Sequence, residues 1–313
     1  MISETLKIWK ICARLILLFQ FKLKIPDKIQ EYLSEKTDSE LALIGCRADD
    51  TRISYDCCEY DIAVLGENDM GLGNKIMQVG NDTLEFLEFP KYDNSEISLL
   101  NMVKLKNKTS NLLASQDQHS TPKSDIKRIF IAAGKRRAVD SLFNVSKISA
   151  TNSELNSALN LKIAAYDLIE GILLTSEIRP MPIHELNQLR QLEVHKDLIN
   201  EAIQLCIECL GIERATRTII NRSYKALKEI LKERFDIGLL ESKIEYLVQH
   251  GLIADCYYYI GKLVCNHLEK KDYAFQLNYH KLNSLALDLT SDYENINKRS
   301  KLIKIYCKNL LKN

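Results

Sequence analysis

Apolar positions in this chain follow two patterns, and the change from one to the other falls near its middle. Before about residue 150 they form short runs closed by turn residues; beyond it they recur at helical spacing almost without interruption. ELALIGC (40–46) and YDIAVLG (60–66) are apolar runs closed by glycine, which suits buried strands. LEFLEF (84–89), bounded by Asn81-Asp82 and Pro90, and SLLNMVKL (98–105) are predicted as two more strands, while KRIFIAA (127–133) suits strand or helix. Residues 4–36 read as helix interrupted at Pro26, with a new helix starting at Asp27. The polar, Ser/Thr-rich residues 106–125 are predicted to be a loop.

The second half predicts helices over 153–178, 183–209, 212–235, 239–250, 253–270, 272–289 and 292–312. Ser153 is placed to cap the first, Arg179-Pro180-Met181-Pro182 stops it, and Gly211, Gly238 and Gly251 punctuate the rest. On a helical wheel of 212–235, Arg214, Arg217, Lys225, Lys228 and Lys232 share one arc, opposite Ile212, Ala215, Ile219, Leu227, Ile230 and Leu231. That stripe reads as a solvated charged face or as a wall facing a polyanion. Composition agrees with the pattern. Five of the eleven glycines fall between Gly45 and Gly80, and no proline follows Pro182. The expected protein is α+β, with a mixed sheet and helices over 1–150 followed by an all-helical domain over 151–313.

Charge narrows the function classes. Lys and Arg total 43 against 42 Asp and Glu, with no basic arm and no acidic tail, so bulk electrostatics favours neither a nucleic-acid track nor a membrane surface. A nucleotide-sized ligand in a local cleft fits better. In WKICARLILLFQFKLKI (9–25) the unbroken apolar core LILLF is far short of the ~20 residues of a membrane span, so a buried or interface helix is expected. Nine cysteines, including the adjacent pair Cys57-Cys58, show no regular spacing; free thiols in a reducing, cytoplasmic compartment are expected. Cys206-x-x-Cys209 lacks a second pair and reads as core thiols. His184, His250, His267 and His280 read as surface or helix-end residues, Tyr257-Tyr258-Tyr259 as core, and Lys135-Arg136-Arg137 as a solvated charge cluster.

The glycine-rich window holds GCRADDTRISYDCCEYDIAVLGE (45–67). Side chains at i and i+2 of a strand share a face, so Glu59 and Asp61 project together, about 6.5 Å apart along the backbone. Two carboxylates so placed can converge on a hard divalent ion such as Mg²⁺, which takes oxygen ligands and substrate phosphates. Gly45, ahead of the turn, permits close backbone approach to a phosphate.

This arrangement resembles the nucleotidyltransferase superfamily whose fold is shared with DNA polymerase beta. LALIGC corresponds to the first strand, Gly45-Cys46 stands at the Gly-Ser position, and Glu59-Tyr60-Asp61-Ile62-Ala63-Val64 corresponds to the acid-x-acid strand, with twelve residues between Cys46 and Glu59. The resemblance implies transfer of a nucleoside monophosphate from a nucleoside triphosphate to an unknown acceptor. Glu59 and Asp61 would hold Mg²⁺, while Gly45, Cys46 and Arg47 would line the triphosphate. A third carboxylate on the next strand would act as base. Glu85 and Glu88 are the candidates, three apart and so on opposite faces, and Glu85 is preferred. The departures are Cys46 in place of serine and Glu59 in place of the usual aspartate. A shifted register, with Asp61 first and Ala63 second, would leave one carboxylate. Two alternatives stay open. One is a catalytically degenerate fold that binds protein or RNA. The other is RNA cleavage through Arg190 and His195, an Arg-x4-His pair that resembles HEPN domains and implies a homo-oligomer.

Overall fold

The structure is a computed structural model. It describes residues 25–36, 40–49, 53–65, 75–89, 102–106, 112–115, 123–151, 153–192, 197–231, 237–290 and 292–312. The expected helix over 4–24 lies outside them. The chain divides into two units: Met1–Thr51, Glu59–Tyr92 and Asn101–Gln118 form one, and Arg52–Cys58, Asp93–Leu100 and His119–Asn313 form the other.

The first unit is a mixed sheet with a covering helix. Its elements are α1 (Asp27–Lys36), β1 (Glu40–Ile44), the one-turn α2 (Cys46–Asp49), β2 (Tyr60–Leu65), β3 (Lys75–Val79), β4 (Asp82–Phe89), β5 (Val103–Lys106) and β6 (Leu112–Ser115). The strand order is β3-β4-β2-β1-β5-β6. Only β2 and β4 pair in parallel; every other neighbour is antiparallel. The Pro26 carbonyl accepts the amides of Ile29 and Gln30, which starts α1 where the proline predicts it. Ile25, Ile29 and Leu33 then pack on Leu41, Leu43, Tyr60, Ile62, Val64, Leu84 and Phe86. Along β2 and β4 this apolar set occupies the even positions. The pleat therefore sends the odd positions, 61 and 85 among them, to the opposite face.

Two strands depart from expectation. β3 (KIMQV) has no clean alternation and is recruited by pairing to β4 across the Gly80-Asn81 turn, where Gly80 adopts φ 63°. β6 arises inside 106–125, expected to be a loop, by pairing with β5.

The second unit contains α3 (Lys123–Ala150), α4 (Glu154–Thr175), α5 (Glu185–Gln191), α6 (Asp197–Leu210), a 3₁₀ turn (Ile212–Arg214), α7 (Arg217–Leu231), α8 (Ile237–Gln249), α9 (Ile253–Glu269), α10 (Tyr273–Asn278), α11 (His280–Leu287) and α12 (Tyr293–Lys312). The division falls at 118/119 instead of the expected 150/151, because KRIFIAA is helical and α3 belongs with the helices. Gly134 on α3 and Gly171 on α4 let the two backbones touch: a Cβ on Gly134 would come 2.9 Å from the Gly171 carbonyl oxygen. Ser153 caps α4 by accepting the Asn156 amide. Tyr257, Tyr258 and Tyr259 are buried as expected, and so are Cys206 and Cys209.

The basic stripe does not form as the wheel drew it. Arg214 sits in the 3₁₀ turn, out of phase with α7, and Lys232 lies outside the described residues. Arg214 and Arg222 both reach Asp288, at 2.9 and 2.5 Å, and Lys228 reaches Glu241 at 3.2 Å. These carboxylates compensate much of the stripe locally. Among the described residues no helix is long and apolar enough to cross a membrane.

The core of the helical unit also contains ions. Lys262, 1% exposed, pairs with Glu170 and lies 3.6 Å from Glu185 Oε2, which accepts the Tyr258 hydroxyl at 2.6 Å. Arg137 Nε meets Glu170 Oε2 at 2.6 Å, so this member of the basic triplet, though partly exposed, pairs with a buried acid. Asn144 donates to Asp167 at 2.9 Å and to Glu269 at 3.0 Å. Burial, with the Glu269 charge beside it, pushes the Asp167 carboxyl up to about 7.

A carboxyl whose folded pKa lies above its unfolded value of about 3.9 stabilises the fold most at acid pH, and that contribution is lost as pH rises toward 7. Asp167→Asn keeps an oxygen for Asn144. It is expected to flatten the fall in unfolding free energy between about pH 5 and pH 7, leaving the variant the more stable protein at neutral pH. Urea titrations across that range test this; parallel curves for the two proteins would rule it out.

Candidate functional site: three carboxylates on the sheet

The face of β2 and β4 away from α1 carries the acids. Asp61 and Glu85 are directly opposite one another in the parallel register. Glu59 precedes Asp61 by two residues, on the same side by the pleat. Carboxylate oxygens of Glu59, Asp61 and Glu85 lie within 4.8 Å of one another, and all three residues are half-buried. Glu88 is exposed and three positions beyond Glu85, on the other face. Of the two candidates for a third acid, the structure brings Glu85 to the pair.

Gly45 makes room for this cluster. It follows β1, whose Ile44 is paired with Asp61. Its φ is 76°, in the left-handed region, and a Cβ there would overlap the Asp61 carboxylate, falling 2.7 Å from Cγ. Cys46 is buried and opens α2, where the Gly45 carbonyl accepts the Ala48 amide at 3.1 Å. The Arg47 guanidinium lies over the Tyr60 ring, 4.3 Å from its centroid. Tyr60 belongs to the core-facing set of β2, so this contact anchors Arg47 on the ring instead of directing it at the acids. Burial pushes the Tyr60 hydroxyl above its ordinary pKa, and the Arg47 charge opposes that shift.

Three ionised carboxylates this close repel by roughly 1 kcal/mol per pair in water and roughly 3 kcal/mol at the effective permittivity of a protein surface. A cation among them relieves that repulsion. The all-oxygen donor set is hard, suited to Mg²⁺ or Mn²⁺ and ill suited to a thiophilic ion.

No family model, no curated protein and no solved structure matches the chain. The assignment of chemistry to the site accordingly rests on these distances and donor types.

In the helical unit, Arg190 forms a two-pronged pair with Asp255, at 2.8 and 2.9 Å, and Asp255 is 2% exposed. That guanidinium neutralises a buried acid at the start of α9, and His195 lies outside the described residues. His184, expected at a surface or helix end, stands at the N-terminal end of α5 and is fully buried there, with Nε2 3.4 Å from Cys58 Sγ. The two are 126 positions apart, so no local spacing could have joined them.

Proposed function

We propose that the sheet unit is a Mg²⁺-dependent nucleotidyltransferase domain, acting on a nucleoside triphosphate and an acceptor hydroxyl. The observation that carries this reading is the convergence of Glu59, Asp61 and Glu85 beside Gly45. Glu59 and Asp61 would hold the metal, and their oxygens suit it. Bound there, Mg²⁺ would neutralise phosphate charge in the transferred and leaving groups. Glu85, opposite Asp61, would take the proton from the acceptor hydroxyl. Gly45 keeps side-chain bulk away from the carboxylates and leaves backbone beside them for the triphosphate. Cys46 stands where the resembled family has serine, and a thiol is a weaker hydrogen-bond donor to phosphate.

The test is equilibrium binding of labelled nucleoside triphosphates to the full chain with and without Mg²⁺, followed by transfer assays over a panel of acceptors. Wild type is expected to bind only with the metal, and Glu59→Ala/Asp61→Ala to lose that dependence while keeping its fold by circular dichroism. Unchanged binding in the double variant would remove the metal site. The sheet would then be a degenerate fold that serves as a binding module.

A further inference from the structure

Lys162 and Lys262 are both buried in the helical unit, at 5% and 1% exposure, and their surroundings differ. Lys262 has Glu170 and, at 3.6 Å, Glu185. Burial by itself would lower Lys262, yet those two charges hold it above its ordinary value. Lys162 has no carboxylate within 4 Å among the described residues. Its ammonium donates to the Leu210 carbonyl and lies 5.8 Å from the centroid of the Tyr257 ring. An ammonium has three N–H groups, and no second acceptor is found among the described residues. The Asp288 charge is felt there, but its carboxylate oxygens are engaged by Arg214 and Arg222. Burial, with the Arg214 charge adding to it, pushes Lys162 down to about 8.

Lys162 is thus a buried cation without a counter-charge, and a buried charge is costly unless it is paired. Space for a counter-charge is present. A cavity of about 80 Å³ opens beside Lys162, lined also by Cys209, Arg214, Asn295, Ile296 and Arg299. One water needs roughly 15 Å³, so an ion with several oxygens fits. Gly211 shapes one wall. Its φ is 72°, and a Cβ there would fall 2.7 Å from Arg214 Nε, so the guanidinium packs on bare backbone. Arg214 uses two of its five N–H groups on Asp288. Arg299 donates to the Glu208 carbonyl at 3.0 Å and lies 3.8 Å from that residue's carboxylate. The acids at the cavity, Glu208, Glu213 and Asp292, are exposed, and Asp292 caps α12 by accepting the Asn295 amide at 3.0 Å. The buried end of the cavity is cationic and only its margin is acidic.

We propose that this cavity binds a phosphate-sized oxyanion, either inorganic phosphate or the phosphoryl group of a small ester. Lys162 supplies a point charge at the buried end, and Arg214 and Arg299 offer guanidinium N–H groups, which suit phosphate oxygens. The anion would bring Lys162 its counter-charge and tie α4 to the 3₁₀ turn and α12. The site needs no metal and does not depend on the carboxylates of the sheet.

Calorimetric titration of the full chain with inorganic phosphate, in metal-free buffer with chloride balancing the ionic strength, tests this. One equivalent is expected to bind saturably and to raise the thermal midpoint. Lys162→Met is expected to abolish both effects. Arg299→Gln, at a half-buried position and so the milder change to the fold, is expected to weaken binding roughly tenfold or more, the typical effect of losing a hydrogen bond to a charged group. Glycerol phosphate separates the two sources: tighter binding than phosphate identifies an ester as the ligand, and weaker binding the free ion. No saturable binding of either, or undiminished phosphate affinity in Arg299→Gln or Lys162→Met, would overturn the assignment.

Discussion

Lys262→Met is expected to destabilise the helical unit by about 3–5 kcal/mol at neutral pH, the range for breaking a buried ion pair by removing one partner. Methionine replaces the stem, so the loss is electrostatic and not a cavity. Lys262 is 1% exposed and faces two acids whose side chains are 10% and 0% exposed, Glu170 and Glu185. Burial by itself would raise Glu170, yet the charges of Lys262 and Arg137 hold it below its ordinary value. Burial pushes Glu185 up to about 7 even with Lys262 opposing it. Without the lysine, Glu170 keeps Arg137, while Glu185 keeps the Tyr258 hydroxyl and has no other cation within 4 Å among the described residues. Both acids must then stay neutral or remain buried and under-compensated. Protonation cures the defect, so the gap between variant and wild type is expected to narrow as pH falls toward about 5. Urea unfolding at two pH values measures this. A neutral-pH gap under about 1 kcal/mol would mean that the network relaxes around the loss.

That network shows where sequence reasoning stopped. A triplet such as Lys135-Arg136-Arg137 looks the same whether its members face water or a buried glutamate, and Glu170, Glu185 and Lys262 carry no common period. The wheel for 212–235 assumed an unbroken helix, and the non-helical pair Ala215-Thr216 put Arg214 out of phase. The border between the two units lies apart from the change of pattern for a related reason. Hydrophobic pattern changes near 151, but what assigns α3 to a unit is the Gly134–Gly171 approach to α4, a tertiary fact. By contrast β1, β2 and β4 were legible, because glycine and Asn-Asp punctuation bounds apolar runs too short for helices. The pair Glu59 and Asp61 followed from the strand period alone. Glu85 did not: its place opposite Asp61 depends on a parallel register reached through β3, which the sequence does not announce.

The strongest link between fold and candidate site is Gly45, and Gly45→Ala is expected to lose stability and metal-dependent nucleotide binding together. Gly80→Ala in the same sheet unit is the control. Both glycines have positive φ, 76° and 63°, so each substitution costs about 1–2 kcal/mol in backbone conformation. Their surroundings differ. A Cβ on Gly80 meets Lys28 Nζ at 2.7 Å, the tip of a flexible side chain. That tip can swing away at the expense of its 2.8 Å pair with Asp82, an exposed pair worth under about 1 kcal/mol. A Cβ on Gly45 meets the Asp61 carboxylate, whose backbone is held on both sides by β1 and β4. Asp61 has to leave its rotamer, adding an overpacking cost of about 1–3 kcal/mol and taking a metal ligand with it. Gly45→Ala should therefore fall below Gly80→Ala in stability and match Asp61→Ala in binding. The double variant Gly45→Ala/Asp61→Ala separates the two effects. It is expected to be more stable than the sum of the single losses, because truncating Asp61 vacates the space the new methyl needs. Strict additivity would show that the room Gly45 provides is not room for Asp61.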